Sequence, residues 1–270
     1  MVAGVHPTAQ VDKGARIGPG CRIGPYCVVG ADVTLGEGCR LGPHVVLEGP
    51  AAFGARNHFH SGAVLGGAPQ DLKYRGERTE LVAGDDTVFR EHVTVNRGTA
   101  GGGGVTRIGS RNLVMACAHV AHDCELGDDI VLANGVLLAG HVRIESRAIL
   151  SGACAVHHFV TIGTLSFVGG LTRVTRDVPP YVLFEGYEGE VRGLNRVGLA
   201  RAGLSPERLE ALKRVFRMLF RAEGNVREAI GTLRAEGPTA EVAAMIASLE
   251  ASEAGRFGRA LEAAREKAHA

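Results

Sequence analysis

An apolar residue recurs at every sixth position through most of this chain, and few folds satisfy a period of six. One series runs without a miss through Val5, Val11, Ile17, Ile23, Val29, Leu35, Leu41, Leu47, Phe53, Phe59 and Leu65. A second runs Ile108, Val114, Val120, Leu126, Leu132, Leu138, Ile144, Leu150, Val156, Ile162, Val168, Val174, and a short one, Ala83, Phe89, Val95, lies between them. With 45% of residues hydrophobic, so many consecutive hits have a chance on the order of one in a million, even with free choice of register. Six is neither the helical period of 3.6 nor the strand period of 2. It marks a repeat architecture.

The pattern predicts a solenoid of short strands joined by sharp turns. Six residues make one flat side and one corner, and three hexads make a triangular coil of 18 residues. The interior is narrow, which fits a chain with no tryptophan and 5% aromatic residues. Of the 39 glycines, many directly follow the apolar position, as at Gly18, Gly24, Gly30, Gly36 and Gly42. These are expected to let the backbone take the corner at dihedrals that a Cβ penalises. The fourth residue after each apolar one shares the interior and is small, as at Cys21, Cys27, Cys39, Cys124 and Cys154, so five of the six cysteines read as core filler. No C-x-x-C spacing points to zinc or to disulfides.

Two segments interrupt the hexads. Residues 66–82, GGAPQDLKYRGERTELV, and residues 96–107, NRGTAGGGGVTR, read as loops projecting from a rigid scaffold, where binding residues concentrate. The period stops near Arg176. From Leu204 the pattern is helical: Ser205-Pro206-Glu207 reads as an N-cap, an N1 proline and an acidic first turn, and Gly224 as a C′ residue. A second helix starts at Asn225 and ends near Gly237. Thr239 to Ala254 and Arg256 to Ala270 read as further helices. The expected domains are a β-helix over 1–190 with the two insertions and a small α-helical domain over 191–270. The 30 basic residues nearly balance the 29 acidic ones, which argues against a nucleic-acid binder. No apolar run is long enough to span a membrane, and the N-terminus lacks the features of a secretory signal. A cytoplasmic enzyme is the expectation.

Residues 18 apart sit above one another in such a coil. His122 lies beneath Gly140 and, two turns on, His158, while Asp123 lies under His141. His119 is close by. A neutral imidazole is a suitable general base for an alcohol, and a neighbouring carboxylate fixes its tautomer. Gly140 leaves a backbone N–H open to a developing oxyanion. No G-x-S-x-G and no cysteine at an exposed hexad position indicates a covalent acyl-enzyme. Direct attack of a hydroxyl on a thioester fits these residues. A zinc-dependent hydratase of the γ-carbonic-anhydrase type, which binds its metal through histidines on the same kind of scaffold, is the alternative of a different class.

The hexads resemble those of the hexapeptide acyltransferases, which implies an all-β, left-handed parallel β-helix. PQDLKYRGE, VNRGT, ACAHVAHDCELG, LAGHV, AVHHF, DVPPYV and GLN…R further resemble the UDP-N-acetylglucosamine O-acyltransferases that begin lipid A synthesis. That resemblance implies transfer of a (3R)-3-hydroxyacyl group from acyl carrier protein to the 3-hydroxyl of UDP-N-acetylglucosamine, by a homotrimer with clefts between prisms. It implies no cofactor and no metal, since the donor rides on the carrier's 4′-phosphopantetheine. By motif, His122 matches the general base, Asp123 the residue orienting it and Gly140 the oxyanion N–H. Gln70, Asp71, Lys73, His119 and His141 match sugar- and phosphate-contacting positions, Asn195 and Arg201 the nucleotide-contacting ones, and Gly170 the one that limits acyl length. Asn96 and His158 depart from the family's histidine and glutamine on the sugar side. They leave N-acylation of the 3-amino sugar nucleotide as a second alternative. Lys213, Arg214, Arg217 and Arg221, with the three arginines on one helix face, suit an acidic carrier protein.

Overall fold

The computed structural model describes residues 4–222 and 225–269, so Gly224 and Ala270 lie outside the described residues. Each of the 26 hexad positions falls in its own short strand, from Gly4–Val5 to Arg173–Val174. The strands stack in parallel into the three sides of a prism, whose sheets hold eleven, nine and eight strands. Where no loop intervenes, paired residues are 18 apart, as in Val120↔Leu138 and Leu138↔Val156. Across the first insertion Phe59 pairs with Phe89, and across the second Val95 pairs with Val120. The coil resumes in register after each one. The irregular stretches are shorter than expected, 68–79 and 97–104, because Val64–Gly67, Glu80–Ala83, Thr94–Asn96 and Val105–Ile108 continue as strands into them.

The hexad residues and their small partners fill the interior. Leu47, Leu65, Val120, Leu132, Leu150 and Ile162 are fully buried, each worth about 1.5–3 kcal/mol of transfer energy. The prism also holds three rings: Phe59 stacks on Phe89 at 5.2 Å and meets Phe53 edge-on at 5.1 Å. Cys21, Cys27, Cys39, Cys124 and Cys154 are buried, and each donates its S–H to the carbonyl fifteen residues on. Burial pushes the Cys39 thiol up to about 11 and Cys124 to about 12, which leaves them unreactive.

The corner glycines act differently from the expectation. The left-handed conformation falls three residues after the apolar position, and it is taken by Tyr26, His44, Arg56, Asp123 and His141 as well as by glycine. Gly18 and Gly36 have ordinary φ. They are required because a Cβ on Gly18 would lie 2.6 Å from the Gly36 carbonyl carbon, and one on Gly36 would lie 2.5 Å from that of Gly54. Gly54, Gly84, Gly109 and Gly127 continue the column along the same edge, each packed against the backbone or a side chain of the next coil.

The β-structure extends past the expected stop. Val182–Glu185 pairs in parallel with Phe167–Val168, and Glu190–Leu194 then pairs antiparallel with it, so the proposed boundary at 190 falls on the first residue of the last strand. This hairpin covers the sheet edge that the hexads would leave open. The helical part begins with α1 (Arg196–Arg201), followed by α2 (Pro206–Phe220), α3 (Val226–Ala235), α4 (Ala240–Ala254) and α5 (Ala260–His269). Ser205, Asn225 and Thr239 cap their helices through side-chain oxygens. α5 starts four residues later than expected because Arg256–Arg259 forms a turn with Phe257 and Gly258 at positive φ. Asp177 fastens α5 to the prism by accepting hydrogen bonds from the Thr161 and Ala260 amides.

Candidate active site

The nine-stranded sheet presents an outward row of small and apolar side chains. Ala121, Leu137, Ala139 and Ala155 line a cleft of about 510 Å³ along it, and Leu137 remains 51% exposed. Gln70, His119, His122, Gly140, His157, Arg173 and Thr175 also line it. The cleft thus joins a greasy floor to imidazoles at one edge, which suits an acyl arm whose reacting carbonyl must meet a polar group.

At that edge His122 Nδ1 lies 2.7 Å from Asp123 Oδ2. The Asp123 side chain is wholly shielded from solvent. Burial opposes its ionisation, but hydrogen bonds from His122 and Thr99 hold its carboxyl below the usual carboxylate range. An ionised carboxylate only accepts, so Nδ1 is the donor in this bond, and the tautomer it selects has its lone pair on Nε2. Gly140 sits directly against this ring: a Cβ there would lie 2.5 Å from His122 Cε1 and 2.8 Å from Nε2. The Gly140 N–H finds no acceptor among the described residues, so an imidazole and an unpaired backbone donor stand side by side, an arrangement that can take a proton and receive an oxyanion.

The neighbouring histidines stay neutral. His141 meets His122 edge-on at 5.2 Å, stacks on Phe159 at 4.5 Å, and places Nε2 3.6 Å from Asp123 Oδ2. Burial pushes it down to about 4 against the pull of Asp123. Burial likewise lowers His119, whose Nδ1 shares a 2.8 Å hydrogen bond with Thr94 Oγ1. His122, Asp123 and His141 offer three ligand atoms within 4.8 Å of one another, which is what the zinc reading asks for. The Asp123 oxygens, however, already accept from His122 and twice from Thr99, each at 2.7 Å. The Nδ1 lone pair is absent in the tautomer those bonds select. These bonds fix the orientation of the His122 ring and leave its Nε2 free to accept a proton.

The other expected residues divide by position. Asp71 accepts from the Lys73 amide at 2.9 Å, and its carboxyl is held low first by that bond and more weakly by Lys73, His122 and His141. Lys73 is exposed. Gly170 lies at the far edge of the same sheet, where a Cβ would meet only Gly152 O at 3.4 Å and Ser151 at 3.9 Å. In the single chain neither departure from the family pattern lines the cleft. Asn96, 7% exposed, donates to the Ala68 carbonyl and anchors the first loop, at a point where the strand register shifts. His158 packs edge-on against Phe159, and its nearby charges include Arg259, Glu262 and Arg265 of the C-terminal segment; its neighbour His157 lines the cleft instead.

Asn195 and Arg201 lie elsewhere, in a pocket of about 730 Å³ on the eleven-stranded face, with Arg147, Ile149 and Phe167. The Asn195 side chain caps α1 through Gly198 and donates to Leu165 O. The four cations on α2 and at its C-cap are not an unpaired patch. Lys213 pairs with Glu210, Arg214 makes a double hydrogen bond to Glu236, and Arg221 donates to Arg192 O. Arg217 is exposed, without an ion-pair partner at hydrogen-bond distance among the described residues. The hexad arithmetic did not reveal Thr99, Thr106, His157 or Phe159. Of these, the threonines had one signal, their place flanking the glycine run.

Residues 6–49 match the family described as bacterial transferase hexapeptide (six repeats), and residues 177–257 match Udp N-acetylglucosamine O-acyltransferase, domain 2. The chain is 50% identical over 252 residues to the acyl-[acyl-carrier-protein]–UDP-N-acetylglucosamine O-acyltransferase of Anaeromyxobacter sp. (strain Fw109-5), covering 93% of this chain and 98% of that one. It belongs to the UDP-N-acetylglucosamine O-acyltransferase family. The corresponding enzyme of Agrobacterium fabrum is 48% identical over 225 residues, 83% of each chain. The crystal structure of the UDP-N-acetylglucosamine acyltransferase from Bacteroides fragilis superposes with a TM-score of 0.89 at 31% identity, over 92% of this chain and 97% of that one. The prism of this family member is a left-handed parallel β-helix followed by a small helical domain. It is an acyltransferase.

Proposed function

We propose that this protein transfers a (3R)-3-hydroxyacyl group from acyl carrier protein to the 3-hydroxyl of UDP-N-acetylglucosamine, the first step of lipid A synthesis. The observation that carries the reading is the buried Asp123–His122 pair set against Gly140 at the polar end of an apolar cleft. His122 Nε2 takes the proton of the sugar hydroxyl as its oxygen attacks the thioester carbonyl. The Gly140 N–H stabilises the oxyanion, and collapse expels the pantetheine thiolate, which recovers the proton from His122. Every proton and electron pair is accounted for among donor, acceptor and imidazole, so no cofactor is needed. A hydroxyl acceptor is favoured over the amine because Asn96 and His158 are engaged away from the cleft. Asn195 and Arg201 sit on another face of the prism, and a homotrimer would bring them from one copy to the cleft of the next. No helix among the described residues is long and apolar enough to cross a membrane; a cytoplasmic location goes with the proposed nucleotide-sugar and acyl-carrier substrates.

His122→Ala tests this reading. General-base catalysis contributes about 10²–10⁴-fold, so the variant should lose at least that much kcat while keeping the wild-type melting temperature and assembly. A variant that keeps more than about a tenth of wild-type kcat would remove His122 from its role.

A further inference from the structure

We propose that Thr99 is a positioning residue for acyl transfer, and that the glycine-rich insertion of residues 97–104 serves to hold Asp123 in line with His122. The inference rests on the catalytic reading above and extends it to a residue and a loop that it leaves without a role. Asp123 is enclosed, and two of its three carboxylate hydrogen bonds come from Thr99: the amide reaches Oδ1 and the hydroxyl Oδ2, each at 2.7 Å. The third goes to His122. The Asp123 amide donates to Thr106 Oγ1 at 2.8 Å, so the aspartate is gripped through backbone and side chain by threonines on either side of the glycine run. Such a grip is useful here because Asp123 has φ +60, a left-handed conformation that non-glycine residues adopt at some cost.

The glycines explain themselves on the same basis. The loop closes on Thr99, whose carbonyl accepts from the Gly102 and Gly104 amides at 3.0 and 2.8 Å. Gly103 and Gly104 have φ of +93 and +83. A Cβ on Gly102 would run into the Asp123 carboxylate, whereas one on Gly101 would meet nothing within 4 Å. The ionisable groups that face Asp123 are His122 and His141, with Glu125, Arg143 and Arg265 across an adjoining cavity of about 280 Å³. Loss of the Thr99 hydroxyl therefore removes a neutral donor from a carboxylate that no cation contacts directly. Asp123 then protonates more readily, and once protonated it no longer selects the His122 tautomer with the free Nε2.

The test uses the full chain with Thr99→Val, Thr99→Ser, Gly102→Ala and Gly101→Ala. A hydrogen bond to a charged group is worth enough for about a tenfold or larger fall in kcat. Thr99→Val should show that fall with KM for UDP-N-acetylglucosamine little changed, and its activity should fail at a higher pH on acidification. Thr99→Ser should restore both. Gly102→Ala should lose kcat, while Gly101→Ala, one position away, should match wild type. The Asp123 carboxyl resonance, followed by NMR against pH without substrate, should titrate higher in Thr99→Val and return in Thr99→Ser. That readout stands whichever acceptor the wild-type enzyme uses, so a wild type inert toward UDP-N-acetylglucosamine would defeat the proposed function and leave this measurement valid. Unchanged kcat and an unshifted resonance in Thr99→Val would overturn the proposal. So would a loss that serine does not restore in a protein with the wild-type melting temperature.

Discussion

Burial, more than any neighbouring charge, sets the state of the histidine next to the reactive pair. His141 is pushed down to about 4 by burial, against the pull of Asp123 and with help from His122, so it is neutral at pH 7 and can accept as well as donate. An unfolded histidine takes its proton near pH 6.5. Between about 6.5 and 4 the unfolded chain therefore binds more protons than the folded one, and stability falls as pH is lowered through that window. His119 and His158 are lowered too, so the slope is shared. His141→Asn, which tolerates the left-handed backbone at φ +62, should melt with a shallower dependence on pH across this window than wild type. An identical slope would mean that His141 titrates normally in the folded protein. At this scale the sequence was legible wherever residues are 18 apart, which places His122 under Gly140 and Asp123 under His141. Thr99 lies 24 residues from Asp123, and Thr94 lies 25 from His119. An irregular insertion separates each pair, and no periodic rule reaches across it.

The repeat unit fails or succeeds through its backbone spacing. Gly36 and Gly30 occupy the same hexad position one unit apart, yet a Cβ on Gly36 would meet only backbone, at 2.5–2.7 Å, while one on Gly30 would make its closest contact at 3.5 Å. Gly36→Ala should lower the melting temperature, by about 1–3 kcal/mol of overpacking. Gly30→Ala should be neutral or slightly stabilising, since alanine has less freedom to lose. Equal effects would contradict the close-approach account of the glycine column. In the helical domain, the cap at Ser205 and the helix start at Asn225 were readable because capping residues are local signals. The hairpin and α1 were not readable, since what calls for them is the open edge of the prism, a feature of the stacked coils. Of the four candidate cations, Arg217 alone has neither an ion pair nor a hydrogen bond to a carbonyl among the described residues, so it is the one to test against a carrier protein. Arg217→Glu should raise KM for the acyl carrier protein and not for the sugar nucleotide, and the difference should shrink as salt rises. An unchanged KM at low salt would place the docking surface elsewhere.

At the scale of the whole molecule, one number organises nearly everything. A period of six dictates three sides, a coil of 18 and a straight stack. The stack aligns His122, Asp123 and Gly140 along one edge, beside a groove that spans several coils. What the period cannot show is the assembly. Asn195 and Arg201 occupy a different face from His122, and the account needs a second copy to unite them on one substrate. The central claim is the transfer itself. It is tested most directly by incubating the purified protein with 3-hydroxyacyl acyl carrier protein and either UDP-N-acetylglucosamine or its 3-amino analogue, and weighing the products by mass spectrometry. The account predicts one hydroxyacyl unit added to UDP-N-acetylglucosamine as a 3-O-ester, with no acyl group left on the protein. Absence of transfer, or a preference for the amine of more than about tenfold in kcat/KM, would contradict it.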